Sequence, residues 1–515
     1  MNHSFKILFD TNIIIQLEDN ITISENLQRL NQHIITNNLK VYIHEISHIE
    51  FARDSNQERQ AISKSKLSKY SQIKLTSLSK DVLEEKFGEI KNDNDLADCQ
   101  LLASLASNAV NILITEDRRL LKRALRVGLD ERIYNIQSAT SFLDREYSKT
   151  TEYIYPTVEK KLSYQLNPQD EIFNSLRADY PDFDHWWNKC CHQGRECWVI
   201  MNGDRISSLI VFKLEEEPEM IKKFNMEKIL KICTFKVSET ARGQRHGEQM
   251  LKQCFQYCFD NNFDCLYLTT FEKHEDLVFL CSKFGFQDAG CNERDEIFKL
   301  KKLTPNAEDL KNFEELDFHR KYWPKLLITE KTKIFLIPIR PQFHSRLFPE
   351  WRNQPWQAQL KLPELLQKKI HDQQNNNPGN SITKVYVCSC STREIEPGSL
   401  LLFYCSESIK AITSVGVAER FDAITDINKA MELTGKRTVY SAADLKLYLN
   451  NSKNGLKIIN FSFAFHFDQP ISYNSLKKSQ IIKGPIQSIQ RINSDKFYHI
   501  LNEQINSQKY VLQGI

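Results

Sequence analysis

The sequence predicts three folded modules in one chain: an N-terminal parallel α/β sheet, a central mixed α/β domain and a C-terminal β-barrel, together a multidomain α/β and α+β protein. Three observations carry this. At 515 residues the chain is too long for one hydrophobic core. Its first part repeats a unit of short apolar strand, acidic residue and helix, the grammar of a parallel sheet. Its last third places short strands between turn signals, which suits a small barrel.

Lys6–Phe9 is an apolar strand ending in Asp10, Thr11 and Asn12. Val41–Ile43 is a second strand, followed by a helix carrying Glu50. Asn94–Ala124 reads helix, turn, buried strand, helix. Asp98 sits near the start of an apolar helix with Leu101, Leu102 and Leu105, and Ile112–Ile114 is a continuous apolar run suited to a strand covered on both faces. Thr115, Glu116 and Asp117 follow at its C-terminal end, where ligands collect in open α/β sheets. Asp10, Glu50, Asp98 and Asp117 are therefore expected at one edge. Four converging carboxylates repel one another unless a divalent cation is present, which marks them as ligands of Mg²⁺ or Mn²⁺. Such a site activates water and clamps a phosphodiester for in-line hydrolysis. One acid at a helix start reads more simply as an N-cap, and Asp54, Asp93, Asp95 and Glu116 are assigned to caps or solvated charges. Arg132–Ile136 is a further strand and Ser138–Tyr147 a closing helix. The stretch Gln57–Lys74, with Lys64, Lys66, Lys69 and Lys74, is a basic helical face suited to an RNA backbone or to solvent. Ser148–Pro156 reads as a linker.

The segments FDTNIII, VYIHEISHIEFARD, NDLADCQLLAS and ILITEDRRL resemble the PIN-domain nucleases over residues 1–147. The resemblance implies a metal-dependent endoribonuclease, with Asp10, Glu50, Asp98 and Asp117 as metal ligands and Asn12 and Thr115 as helpers.

The middle segment, 157–303, opens with a strand at Val158–Gln165 and a helix at Asp170–Ala178. Cys197–Met201 and Arg205–Lys213 form a hairpin turned by Asn202-Gly203-Asp204. Leu230–Val237 is a strand leading into a glycine-containing loop and an amphipathic helix; Cys265–Thr270 is the next strand, a helix starts at His274, and Lys283–Phe286 closes the unit. This order resembles the GNAT acyltransferases. In that family the loop reads Arg or Gln, two residues, Gly, one residue, then Gly or Ala; here Arg242, Gly243, Gln244, Arg245, His246 and Gly247 occupy it. The resemblance implies acetyl-CoA, with these residues, Phe235 and Val237 against the cofactor and backbone N–H groups at a helix start cradling its pyrophosphate. Arg245 stands where the family usually has Gly, and Cys281 where many members carry the Tyr that protonates the departing thiolate.

Thr304–Lys325 reads as a charged linker with helical character. In 331–515, strands are expected at Ile334–Pro338, Lys384–Cys388, Ser399–Tyr404, Ser414–Arg420 and Phe461–Phe467, with Asp372–Asn380 a flexible polar loop. The PGSLLLFY and SVGVAE segments resemble the PUA-like superfamily of the ASCH or EVE kind, which implies binding of RNA or a modified base. Arg393, Tyr404, Lys436, Arg437 and Tyr440 are the candidates to stack on or pair with a nucleotide, or else belong to barrel core and surface.

Residues 331–515 hold 24 Lys and Arg against 14 Asp and Glu, while the rest holds 45 against 52. The last third is therefore the basic part, and nucleic acid the commonest anionic partner for it. No apolar run approaches the ~18–20 residues of a membrane span, so no membrane role is expected. The start, MNHSFKILFD, shows no cleavable signal pattern, and thirteen mostly scattered cysteines argue for reduced thiols in a cytoplasm. Cys190-Cys191 and the Cys388, Cys390 pair make no zinc set. The leading expectation is a microbial toxin or defence enzyme that cuts RNA (tRNA among the targets) with Mg²⁺, couples this to acetyl-CoA, and meets an antitoxin or regulatory protein. Its rival is an acetyl-CoA-sensing or scaffold protein with a catalytically degenerate middle domain.

Overall fold

A computed structural model describes residues 5–147, 158–353 and 381–514, apart from 19–24, 38, 52–66, 68–69, 75, 77, 216–225, 239–240, 242–244, 393–394, 408, 436, 503 and 505. The linker reading of Ser148–Pro156, the loop reading of Asp372–Asn380, Asp54 and most of the basic stretch after Gln57 lie outside the described residues.

The chain forms two compact units. The first takes the chain up to 151 and the segment 424–456; the second takes most of what lies between, and 457–515. The expected module 331–515 is therefore not one continuous body, because its middle folds with the N-terminal unit.

In the first unit, β1 (Lys6–Phe9), β2 (Lys40–His44), β3 (Ser71–Ile73), β4 (Ile112–Ile114) and β5 (Ile133–Tyr134) form one sheet in the order β3-β2-β1-β4-β5. Every pairing is parallel. β4 is buried along its whole length, as a strand with helices on both faces requires. The helix Asp93–Ala106 buries Leu101, Leu102 and Leu105 in the same core as Leu8, Leu113 and Leu120. The helices Ile427–Thr434 and Ala442–Asn450 complete this unit. Glu432 reaches Arg132 Nε at 2.7 Å, and Arg437 pairs with Glu131 at 2.5 Å. A Cβ on Gly435 would lie 2.3 Å from the Tyr134 hydroxyl, so this seam needs glycine there.

The second unit begins with β6 (Val158–Leu162), β7 (Glu196–Asn202), β8 (Arg205–Glu215), β9 (Ile229–Val237), β10 (Cys265–Thr270), β11 (Gln287–Cys291) and β12 (Ile297–Lys302). They form one sheet in the order β11-β12-β10-β9-β8-β7-β6, with β9 and β10 its parallel pair. The hairpin turns at Gly203, whose φ of 58° is the conformation glycine supplies freely. Strand β6 is shorter than expected and passes into a 3-10 turn at Ser163–Gln165.

The linker reading of Thr304–Lys325 is corrected. The helix Glu315–Tyr322 buries Phe318 and Tyr322, which pack with Leu327, and Trp323 is also buried. Charge along the segment hid this, because the apolar residues fall on a single face. Lys301, fully buried, donates to the carbonyls of Phe284 at 2.7 Å, Arg320 at 3.2 Å and Lys321, satisfying the ends of two helices.

The remaining strands are β13 (Leu326–Ile328), β14 (Ile334–Ile339), β15 (Thr383–Cys388), β16 (Leu400–Cys405), β17 (Ala411–Ile424), β18 (Leu456–Ser472), β19 (Gln490–Ile492) and β20 (Val511–Gln513). β13 pairs with β20, and the others form a six-stranded sheet in the order β15-β18-β17-β16-β14-β19. The expected barrel does not close among the described residues. Closure needs the outer strands to pair, and β15 and β19 are left as the two edges. No helix among the described residues is long and apolar enough to cross a membrane.

Candidate functional sites

The parallel register delivers the N-terminal acids to one edge. Asp10 follows β1, Glu50 lies in the helix after β2, Asp117 follows β4, and Asp98 is in the helix preceding β4. Thr115 Oγ1 donates to Asp10 Oδ2 at 2.5 Å and Asn12 Nδ2 donates to the same oxygen at 2.7 Å, so both expected helpers meet Asp10. Burial pushes the pKa of Asp10 up to about 6; the Thr115 hydrogen bond opposes this, while Glu50 and Asp117 add to it. Asp98 is pushed up to about 7, by burial first and then by Asp117 and Asp10, against the pull of Arg123.

The four acids thus share one field, which the chain offsets in part. Asp117 is the N-cap of the helix Arg118–Arg126, accepting from the Arg119 N–H at 2.7 Å and the Leu120 N–H at 3.4 Å. Glu50 accepts from the Thr11 hydroxyl. Arg123, held by Asp95 at 2.9 Å, lies 3.8 Å from Asp98. Among the described residues no group of three His, Cys, Asp or Glu side chains is disposed to hold a metal ion. The expectation of a Mg²⁺ or Mn²⁺ ligand set at Asp10, Glu50, Asp98 and Asp117 therefore has no ready-made ligand group behind it among these residues: helix capping, hydroxyl donors and an arginine offset part of the repulsion, and the raised pKa values of Asp10 and Asp98 show that the rest of it remains.

In the middle sheet, β9 and β10 run paired only from Ile229↔Cys265 to Ile232↔Leu268. Beyond that point β9 continues on β8 as far as Val237, and β10 continues on β12 as far as Thr270. The two parallel strands therefore part at their C-terminal ends. A register shift in the β8–β9 pairing falls at the same place, where Val211 pairs with Thr234 and Phe212 with Ile232, passing over Cys233. Past Ile232, β9 no longer pairs with β10, and Phe235 and Val237 are half-buried at this edge.

The loop meets this opening differently from expectation. Arg242, Gly243 and Gln244 lie outside the described residues. Arg245 caps the helix His246–Asp260 with φ 67°, the left-handed region that glycine prefers, so the backbone performs the glycine-like turn despite the side chain. Its guanidinium donates to Ser381 Oγ at 2.8 Å, to the Thr383 carbonyl at 3.1 Å and to Glu248 at 2.8 Å. These bonds turn it away from the role of phosphate ligand. His246 is corrected as well: it is 2% exposed, its Nδ1 lies 3.0 Å from Ser208 Oγ, and burial lowers its pKa to about 4. Gly247 packs so closely that a Cβ would lie 2.8 Å from Leu280 Cδ2 and 4.0 Å from Phe235 Cζ. Cys281 is fully buried, and burial pushes its thiol up to about 12, so it does not take the place of the tyrosine acid.

A polar group that the sequence did not flag gathers at the end of β10. His274 Nε2 lies 3.1 Å from Asp179, and Tyr180 donates to Glu296 at 2.6 Å. The Tyr180 ring lies 5.6 Å from that of Phe271, which follows β10. Burial lowers the pKa of His274; Asp179 opposes this, while Lys273 and Lys236 of β9 add to it. These residues come from three distant stretches, and no spacing rule joins them.

In the C-terminal strands Tyr404 is 4% exposed and belongs to the core with Leu402, Ile412 and Phe465, so it is not a stacking platform. Arg437 is engaged with Glu131 in the first unit, and Arg393 and Lys436 lie outside the described residues. A different polar cluster occupies this part of the second unit. Glu350 pairs with Lys252; burial works against its charge, but Lys252, Lys384 and His466 outweigh burial and hold its pKa at about 2. Lys384 is lowered to about 7 by burial, against the pull of Glu350, and lies 5.3 Å from the Phe463 ring.

Residues 162–286 match the model of the acetyltransferase (GNAT) family. This supports an acetyltransferase function for the segment, about a quarter of the chain. No curated protein matches. Among solved structures, an N-acetyltransferase from Staphylococcus aureus is similar at 14% identity over 29% of this chain and 99% of its own, with a TM-score of 0.23. The NatC complex bound to Gag peptide and CoA is similar at 15% identity over 28% of this chain and 99% of that one, TM-score 0.22. The ASCH protein from Zymomonas mobilis is similar at 12% identity over 33% of this chain and 96% of its own, TM-score 0.23.

Proposed function

We propose that the second unit is an acetyl-CoA-dependent N-acetyltransferase whose cofactor enters where β9 and β10 part. That parting is the observation that carries the reading. An extended amide-bearing chain laid along residues 233–237 completes the ladder that β10 abandons. The N-terminal end of the helix His246–Asp260 would supply the positive end of its dipole to the cofactor's phosphates. At the far end His274, kept neutral by burial and oriented by Asp179, is the group placed to take a proton from an attacking amine. With Cys281 buried, no thiol acid is assigned.

Acetyl-CoA is expected to raise the melting temperature of the full chain and to give a calorimetric binding signal. Gly247→Trp, with its fold verified by circular dichroism, is expected to lose both. Neither signal from the wild type at millimolar ligand would overturn the proposal.

Metal-dependent cleavage of RNA by the first unit is the second reading. It rests on the convergence of Asp10, Glu50, Asp98 and Asp117 at one sheet edge, and the basic balance of 331–515 supports RNA as a partner. Total RNA cut by the full chain only with Mg²⁺ or Mn²⁺, and left intact by Asp10→Asn, is the expected result. Cleavage that survives Asp10→Asn or needs no metal sinks it.

A further inference from the structure

The six-stranded sheet ends, at its β15 edge, in a feature that neither acetyl transfer nor RNA cleavage uses. Cys388 is the last residue of β15, opposite Lys457 of β18, and Cys390 lies two residues on, past the end of the ladder. Their Sγ atoms are 2.9 Å apart. Cys388 is 8% exposed and covered by the sheet, while Cys390 is partly open to solvent. One sulfur is thus reachable and the other stands directly behind it. We propose that Cys388 and Cys390 form a peroxide-reactive dithiol, in which Cys390 is the nucleophile and Cys388 the resolving thiol.

The surroundings divide these roles. The hydrogen bond between the two sulfurs is the largest influence lowering the Cys390 pKa to about 6; burial opposes it, and Thr392 and Lys457 assist. Cys388 is correspondingly held well above the usual thiol range by the same bond and by burial. A neutral thiol hydrogen-bonded to a thiolate is the arrangement in which one sulfur attacks and the other waits.

The chemistry closes with two electrons. The Cys390 thiolate attacks a peroxide oxygen: an S–O bond forms, the O–O bond breaks, and Cys390 becomes a sulfenic acid as hydroxide leaves and takes from solvent the proton that Cys390 released on ionising, becoming water. The Cys388 sulfur then attacks the sulfenic sulfur. An S–S bond forms, the S–O bond breaks, and the departing hydroxide takes the Cys388 proton as water. The dithiol is oxidised by two electrons and hydrogen peroxide is reduced to two waters. The sulfurs need approach only from 2.9 Å to a bond length of about 2.04 Å. Cys390 lies outside the ladder, so it can move without breaking a strand hydrogen bond.

The test uses the reduced full chain, a brief exposure to hydrogen peroxide, blocking with N-ethylmaleimide, and mass mapping. Trypsin releases Val385–Arg393, which contains both cysteines and no other. That peptide is expected two hydrogens lighter and unlabelled, formed at least tenfold faster than oxidation of the exposed reference thiol Cys291. In Cys388→Ser, dimedone is expected to trap a sulfenic acid on Cys390. In Cys390→Ser, Cys388 is expected to remain a free thiol. Two maleimides on the wild-type peptide after peroxide, or undiminished oxidation of Cys388 in Cys390→Ser, would overturn the assignment.

Discussion

Glu432→Ala is expected to destabilise the first unit by about 3–5 kcal/mol, the range for breaking one side of a buried ion pair. The Glu432 side chain is 1% exposed and its partner Arg132 8% exposed, with Oε1 and Nε 2.7 Å apart. Arg132 also donates to the carbonyls of Leu105, Val110 and Asn111. Those dipoles solvate the guanidinium without neutralising it, so removing Glu432 leaves a buried cation. The effect belongs to Glu432 rather than to the segment's charge in general. Lys429, which contacts the same carboxylate from a side chain 35% exposed, is expected to cost under about 1 kcal/mol as Lys429→Ala. Replacing both Arg132 and Glu432 with Met is expected to recover only part of the loss, because no charge remains to be buried but the carbonyls of Leu105, Val110 and Asn111 lose their donor. Urea unfolding followed by a probe in the first unit measures all three. A loss below 1 kcal/mol for Glu432→Ala would mean that 424–456 does not hold this unit together.

Nothing near Glu432 in sequence announces this pair, since its partner is 300 residues away. The contrast with what was legible is physical. The hairpin around Asn202-Gly203-Asp204, the strand Cys265–Thr270 and the buried run Ile112–Ile114 depend on turn chemistry and local periodicity, and they stand close to where the sequence placed them. Three of the four N-terminal acids were legible for the same reason, because Asp10, Glu50 and Asp117 follow β1, β2 and β4, and Asp98 starts the apolar helix that leads into β4. Their compensation was not. Arg123 and Thr11 reach them through tertiary packing, which spacing does not encode, whereas the cap that Asp117 makes with the Arg119 and Leu120 N–H groups is local. The inward turn of His246 onto Ser208 and the meeting of Tyr180 with Glu296 were hidden by the same distance in sequence. So was the burial of Tyr404: β16 is a continuous apolar run buried along its whole length, and what its tyrosine packs against is set by tertiary structure.

The acids also set a pH dependence whose sign is opposite to that of an ordinary salt-bridged carboxylate. In the folded chain Asp98 titrates at about 7 and Asp10 at about 6, against 3.8 without the fold. A raised carboxyl pKa means that the folded state holds its proton more tightly than the unfolded state. Stability is then full below pH 4 for these groups and is lost as pH rises through 6 and 7. For Asp98 the loss amounts to roughly 4 kcal/mol at 1.36 kcal/mol per pH unit. Asparagine cannot ionise, so Asp98→Asn in the presence of EDTA is expected to be more stable than the wild type at pH 8 by roughly that amount and nearly equal to it at pH 4. Asp10→Asn is expected to follow with a smaller gain, since its shift is smaller and it gives up the acceptor for Thr115 and Asn12. Chemical unfolding of the three proteins across pH 4 to 8 decides it. A variant that loses stability at pH 8 would show that Arg123 already neutralises Asp98 in full, and that the crowding of carboxylates at this edge costs the fold nothing.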